Sequence, residues 1–213
     1  MKYQIVRRPN IEKLIKEGNL EIGQGTKLDE DIWLCHSTRD GKVEKVAIGK
    51  HCTIRSGAVI YSGVKIGDNV NLGHDVTIRE FCSIGNNSSI GTGVKVECYT
   101  TIGNFVSIET QSHITGWMKI EDYVFIGGAV MSTNDLKMKW KRQGHGQYLK
   151  GPTVKHGAQI GSGAVLLPEI VVGKHAIVNA GEIVRKNVPD NHIMFTSKGK
   201  TIYKKIKPDP IRY

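Results

Sequence analysis

A β-solenoid, in which the chain winds through stacked coils of short parallel strands, is the fold class this sequence predicts, and three observations predict it. The first is a period of six. From Ile48 a large aliphatic residue recurs at every sixth position, through Ile54, Ile60, Ile66, Leu72, Ile78, Ile84, Ile90, Val96, Ile102, Ile108, Ile114, Ile120 and Ile126. Every isoleucine between residues 48 and 126 lies on this register, which neither a helical period nor a hairpin sheet requires. The second is a companion column four residues further on, small or β-branched at most positions: Cys52, Ala58, Val64, Val70, Val76, Cys82, Ser88, Val94, Thr100, Val106, Ser112, Met118, Val124 and Val130. The third is a frequent Gly, Asn or Asp three residues after the aliphatic, as at Gly57, Gly63, Asn69, Asp75, Asn87 and Gly93. Those residues tolerate the positive φ of a tight corner.

Each hexad is therefore a short strand plus a turn. One hexad cannot close a core, whereas stacked layers can, so the repeats must pile up. The register resumes at Val154, Ile160, Leu166, Val172, Val178 and Val184, and a weaker beginning stands at Ile22 and Leu28, which makes 22 hexads.

The remaining segments divide a single domain of residues 1–213. Residues 1–21 form an N-terminal cover: Asn10 caps a short helix whose apolar face is Ile11, Leu14 and Ile15, and Gly18 ends it. Coils are expected over 22–131 and 154–189, with a short excursion within 35–46. Residues 132–153 leave the register as a protruding loop carrying Lys137, Lys139, Lys141, Arg142 and Lys150. A long irregular segment on a regular scaffold usually serves function or is disordered. Residues 190–213 form a basic tail without an assigned structure.

Composition bounds the function only loosely. The chain of 213 residues has 39% hydrophobic and 23% charged residues, which suits one globular core. No run approaches the ~20 apolar residues of a membrane span, and the first nine residues lack the apolar core of a secretory signal. A cytoplasmic protein without membrane insertion is expected. Cys35, Cys52, Cys82 and Cys98 stand singly, so structural thiols are expected and no metal site. The net charge of +10 suits a polyanionic partner, whether nucleic acid, a membrane surface or small phosphorylated ligands, and charge alone does not choose among them; a basic balance is as often only a solvated surface. No nucleic-acid partner is expected.

One outward column carries a chemical lead. Thr77, Lys95, His113 and Met131 recur at intervals of 18, and Met131 is where the loop departs. His113 is thus the best-placed of eight histidines for a cleft at the loop base. An imidazole there can take a proton from an attacking amine or hydroxyl. His145, inside the loop, is the second candidate. Phe81, Tyr99 and Trp117 fill one corner of three successive coils, suited to stacking a nucleotide base or, preferentially, to a ladder at a subunit interface.

The repeat resembles the hexapeptide-repeat acyltransferases, and the run VKHGAQIGSGAVLLPEIVVGKHAIVNAGEIVRKNVP resembles their C-terminal coils. That resemblance implies a left-handed parallel β-helix with three hexads per triangular coil, hence about seven coils. It implies an acyl-CoA co-substrate, acetyl-CoA or another, lying along the late coils between the subunits of a homotrimer. Ser162 and Ala180 fall beside the pantetheine arm, and Arg185 and Lys186 near the nucleotide phosphates. The segment IEDYVFIGGAVMSTND resembles the sugar-nucleotide N-acetyltransferase branch. It implies a nucleotide-linked amino sugar as acceptor, with Asn134 and Asp135 as substrate contacts and an amide side chain one coil earlier, at Gln111. Trp117, near His113 in sequence, is expected to serve both the ladder and the substrate. A backbone N–H near Gly127 or Gly128 can serve the oxyanion of a direct transfer without a covalent acyl-enzyme.

Three rivals use the same scaffold. An O-acetyltransferase or antibiotic acetyltransferase differs only in acceptor. A zinc-dependent carbonic anhydrase needs convergent imidazoles, and no closely spaced histidine pair is expected on the wall. A passive binding solenoid favours a uniform outward column, which Thr77, Lys95, His113 and Met131 are not.

Overall fold

The computed structural model describes residues 10–38, 41–146 and 148–207. The first nine residues of the expected cover and the last six of the tail lie outside the described residues.

The chain forms a left-handed parallel β-helix whose strands align in three sheets. The first sheet has eight strands, from Leu20–Ile22 to Val171–Val172; the third also has eight, from Trp33–His36 to Ile183–Val184. The second runs from Lys27–Leu28 to Ile177–Val178 and then adds two strands, ten in all. The solenoid thus has eight coils, one more than expected. Two hexads account for the difference. Leu34, six residues after Leu28, is buried in the strand Trp33–His36. Ser132, six residues after Ile126, is buried in the strand Met131–Ser132, a serine where the register otherwise demands an aliphatic side chain.

The vertical pairing follows the repeat: Lys95 pairs with Thr77 below and His113 above, each 18 residues away. Across the loop the step lengthens to 34, Lys119 pairing with Thr153, and the coil closes as though the insertion were absent. Both inward columns are buried from Ile48 to Val130. Polar members of the companion column find the same acceptor, a carbonyl 15 residues ahead: Ser88 Oγ donates to Gly103 O at 3.0 Å, Thr100 Oγ1 to Thr115 O at 2.9 Å and Ser112 Oγ to Gly127 O at 2.8 Å. Cys82 Sγ makes the corresponding contact to Glu97 O at 3.0 Å. The site accepts Val, Ala, Ser, Thr or Cys because small polar groups there are paired, not stranded.

The corners are held by side chains as well as by turns. At the corner between the first and second sheets, Asp68, Asn86, Asn104 and Asp122 form a ladder in which each Oδ1 accepts the backbone N–H one coil below, at 2.7–2.8 Å. The left-handed positions are not reserved for Gly, Asn and Asp. Phe81, Tyr99 and Trp117 adopt φ of 60°, 59° and 58°. Bulky residues rarely do so, and here their rings stack with centroids 5.2 and 5.5 Å apart.

The two ends differ from expectation in detail. The helix Ile11–Lys16 is capped by Asn10, whose Oδ1 accepts from Lys13 N at 3.0 Å, and Leu14 is buried against the first coil. Ile15 is instead 48% exposed, so the buried face is narrower than the three residues expected. Within the tail, His192–Ser197 pairs parallel to Ile177–Val178 and then turns through Lys198 and Gly199 into the antiparallel strand Lys200–Lys205. This hairpin extends the second sheet past the last coil.

Candidate functional site

The outer face of the third sheet meets the base of the loop at a cavity of about 490 Å³. His113, Thr115, Met131 and Ser132 form its floor, Thr133 to Leu136 and Met138 its loop wall, and Leu167 with Pro168 the next coil. The solenoid fixes this assembly because His113 and Met131 pair in register, and the chain leaves the coil immediately afterwards.

Ser132 organises the floor. Its Oγ accepts from Thr115 N at 2.8 Å and donates to His113 O at 2.9 Å, so a buried hydroxyl replaces the missing aliphatic side chain and ties two strands together. The imidazole has Nδ1 3.4 Å from Ser132 O and Nε2 4.0 Å from Glu97 Oε1. Asn134 anchors the loop: Nδ2 donates to Gly116 O at 3.4 Å, and its carbonyl accepts from Lys150 N at 2.9 Å. Asp135 Oδ1 accepts from Lys137 N at 3.0 Å and Met138 N at 2.8 Å, which fixes the first turn of the loop.

A second feature lies on the corner between the second and third sheets. Gly128, Ser162 and Ala180 occupy one position there in successive coils, joined by Gly163 N to Gly128 O and Gly181 N to Ser162 O, each 2.9 Å. Gly163 and Gly181 have φ of 70° and 71°, and a Cβ at either would meet nothing within 4 Å. The corner is therefore a bare strip of backbone that an extended ligand can approach closely. Arg185 and Lys186 are exposed on the last coil.

Residues 63–98 match the family described as bacterial transferase hexapeptide (six repeats). The match covers 36 of the 213 residues and identifies the six-residue repeat of those coils. A galactoside O-acetyltransferase of Lactococcus lactis is 35% identical over 49 residues, which is 23% of the hexapeptide-repeat chain and 24% of the relative. The chain thus matches about a quarter of that curated relative's length. Among solved structures, a UDP-N-acetylglucosamine acyltransferase from Bacteroides fragilis superposes with a TM-score of 0.69 at 16% identity, covering 87% of this chain and 70% of that one. The Arabidopsis UDP-N-acetylglucosamine acyltransferase gives 0.64 at 17% identity, covering 88% and 70%. At these identities the likeness is one of fold.

Of the residues singled out in the hexapeptide-repeat sequence, the cavity gathers His113, Asn134 and Asp135. Gln111 lies exposed on the preceding corner with φ of 59°, and Trp117 tops the aromatic stack on the following corner; neither lines the cavity. His145 meets Trp140 within the loop, their rings edge-on at 5.2 Å. Thr115, Ser132, Leu167 and Pro168 were not anticipated. Ser132 is legible as a polar residue on the aliphatic register, whereas Leu167 and Pro168 reach the cavity only once the length of the loop is subtracted.

The thiols are structural in their chemistry. Cys35, Cys52 and Cys82 are buried, and all four cysteines are free. Burial pushes the Cys35 thiol up to about 11 and that of Cys82 up to about 12, far from the range of a reactive thiolate. A histidine pair forms away from the wall: the rings of His156 and His175 meet edge-on at 5.5 Å. It sits on a corner, and no group of three metal-ligating residues occurs among the described residues. No helix among those residues is long and apolar enough to cross a membrane.

Proposed function

We propose that the protein transfers an acetyl or other short acyl group from acyl-CoA to an amino group of a nucleotide-linked amino sugar. The observation that carries this reading is the placement of His113, Asn134 and Asp135 around one cavity at the loop base. The bare corner of Gly128, Ser162 and Ala180 supports the co-substrate assignment, since pantetheine is an extended chain that needs close access to backbone. Arg185 and Lys186 supply positive charge for the phosphates at the next corner of the coil that carries Ala180.

In the proposed reaction the amine nitrogen attacks the thioester carbonyl, His113 takes the proton lost from nitrogen, and the carbon–sulfur bond breaks. The amide and free coenzyme A thiol are the products, the thiolate taking up one proton. The oxyanion faces a backbone N–H near Gly128. A homotrimer is part of the proposal, with Phe81, Tyr99 and Trp117 as an interface ladder; Tyr99 is 47% and Trp117 42% exposed in the single chain.

Transfer to a sugar hydroxyl is the second reading, favoured by the 35% identity to a galactoside O-acetyltransferase over 49 residues. Coenzyme A thiol release, followed with nucleotide-linked amino sugars, simple galactosides and aminoglycosides in parallel, tests both. Release with the amino sugar is expected. Release only with a galactoside or an aminoglycoside would replace this acceptor, and release with none would leave a binding solenoid.

A further inference from the structure

Arg79, Glu97 and Thr115 follow one another at intervals of 18 and so occupy the same outward position in successive coils, immediately beside the column that holds His113. Arg79 is committed on one side. Its Nε and Nη2 donate to Glu80 Oε2 and Oε1 at 2.7 and 2.9 Å, a two-pronged pairing, and the guanidinium lies 4.8 Å above the Tyr61 ring. Its third nitrogen, Nη1, stands 3.7 Å from Glu97 Oε2. The other oxygen of Glu97 stands 4.0 Å from His113 Nε2. A guanidinium locked by its own carboxylate thus holds a second carboxylate, and that one faces the imidazole.

We propose that Glu97 is a positioning residue for His113, held by Arg79, and that it stabilises the imidazolium formed when His113 takes the amine's proton. The proposal rests on His113 being the proton acceptor. With Nδ1 carrying its hydrogen towards Ser132 O, Nε2 keeps the lone pair that receives the proton. At 4.0 Å Glu97 does not hydrogen-bond the neutral ring. It attracts the charged ring, so its effect grows as the proton arrives, which is what lowers a barrier.

The other charged groups around the imidazole are turned elsewhere. Lys95, the register neighbour below, directs Nζ to Thr77 Oγ1 at 3.0 Å and Asp75 O at 2.6 Å. Asp135, across the cavity, has Oδ1 held by two loop amides. Glu80 is occupied by Arg79. Met131, the neighbour above, is uncharged.

The test is a double-mutant cycle of Glu97→Gln and His113→Ala, read as kcat and as the pH profile of kcat/KM. Glu97→Gln alone is expected to lower kcat about tenfold, less than loss of the base itself. Removing a neighbouring anion disfavours the imidazolium, so the acidic limb should move to lower pH. In the His113→Ala background Glu97→Gln should cause no further loss. An equal loss in both backgrounds overturns the proposal and assigns Glu97 to substrate or fold. Full kcat in His113→Ala overturns the proton-acceptor reading itself, a separate outcome. An NMR titration of the His113 ring without substrate gives an activity-free readout: the midpoint should fall in Glu97→Gln, and an unchanged midpoint refutes the coupling. Glu97→Asp retracts the charge by one methylene and should lower the midpoint by less, which keeps the titration decisive if the amide variant does not fold.

Discussion

The hydroxyl of Ser132 donates to the carbonyl of His113 at 2.9 Å, while the carbonyl of Ser132 stands 3.4 Å from the His113 ring. One residue thus holds both backbone and imidazole of the proposed base. The same hydroxyl accepts from the buried N–H of Thr115 at 2.8 Å. Ser132→Ala leaves that N–H without a partner, which should cost about 1–3 kcal/mol in urea unfolding. Ser132→Val, which restores the aliphatic register, strands the same N–H and should not recover the loss. A valine variant as stable as wild type would show that the hydroxyl is dispensable.

The aromatic column makes a different kind of prediction, because its backbone is unfavourable and its rings compensate. Tyr99, at φ 59°, stacks on Phe81 and Trp117. Tyr99→Ala keeps the left-handed backbone and removes both stacks, so a loss of about 1–2 kcal/mol is expected. Tyr99→Asn suits that backbone, as Asn69 and Asn87 do at φ 55° and 57°, and should fall between the two in thermal melting. Equal melting temperatures for all three would mean that the stack contributes nothing.

The buried thiols give the protein a one-sided pH dependence. Cys82 is raised from 9.0 to about 12 by burial, so the unfolded chain releases its proton at a pH where the folded chain still holds it. Stability from this source is complete below pH 9.0 and lost as pH rises towards about 12. Melting temperature should therefore fall above pH 9. Cys82→Ser keeps a donor for Glu97 O, as Ser88 does for Gly103 O, and should flatten that fall. An unchanged slope would place the alkaline sensitivity elsewhere.

How far residues alone led to this structure depends on where the period holds. Between Ile48 and Ile126 the repeat dictates strand, face and vertical neighbour, so the pairing of His113 with Lys95 and Met131 followed from counting 18. Arg79 and Glu97 obey the same count and were legible on that basis. Counting failed where the aliphatic column itself turned polar, as at Ser132, or where an excursion hid the register, as around Leu34. The hairpin at His192–Lys205 escaped because its six-residue strands ignore the hexad, although Lys198–Gly199 is a recognisable two-residue turn. Gln111 and Trp117 stand on the corners either side of the strand of His113 and do not line the cavity.

The loop should separate acceptor binding from co-substrate binding. Its polar base, Asn134 and Asp135, stays anchored to the coil, whereas Leu136, Met138, Trp140 and Tyr148 are exposed beyond it. Replacing residues 136–149 by a short Gly-Ser connection should raise the acceptor KM or abolish turnover, with acyl-CoA affinity unchanged by calorimetry. Full activity in the shortened protein would remove the loop from the acceptor site.

The central claim, that His113 accepts the proton of an amine attacking acyl-CoA, is tested most directly by kcat for His113→Ala with the amino sugar that supports thiol release. The account predicts a fall of about 10²–10⁴-fold, loss of the acidic limb present in wild type, and a melting temperature near that of wild type. A His113→Ala enzyme with full kcat and the wild-type pH profile would contradict it.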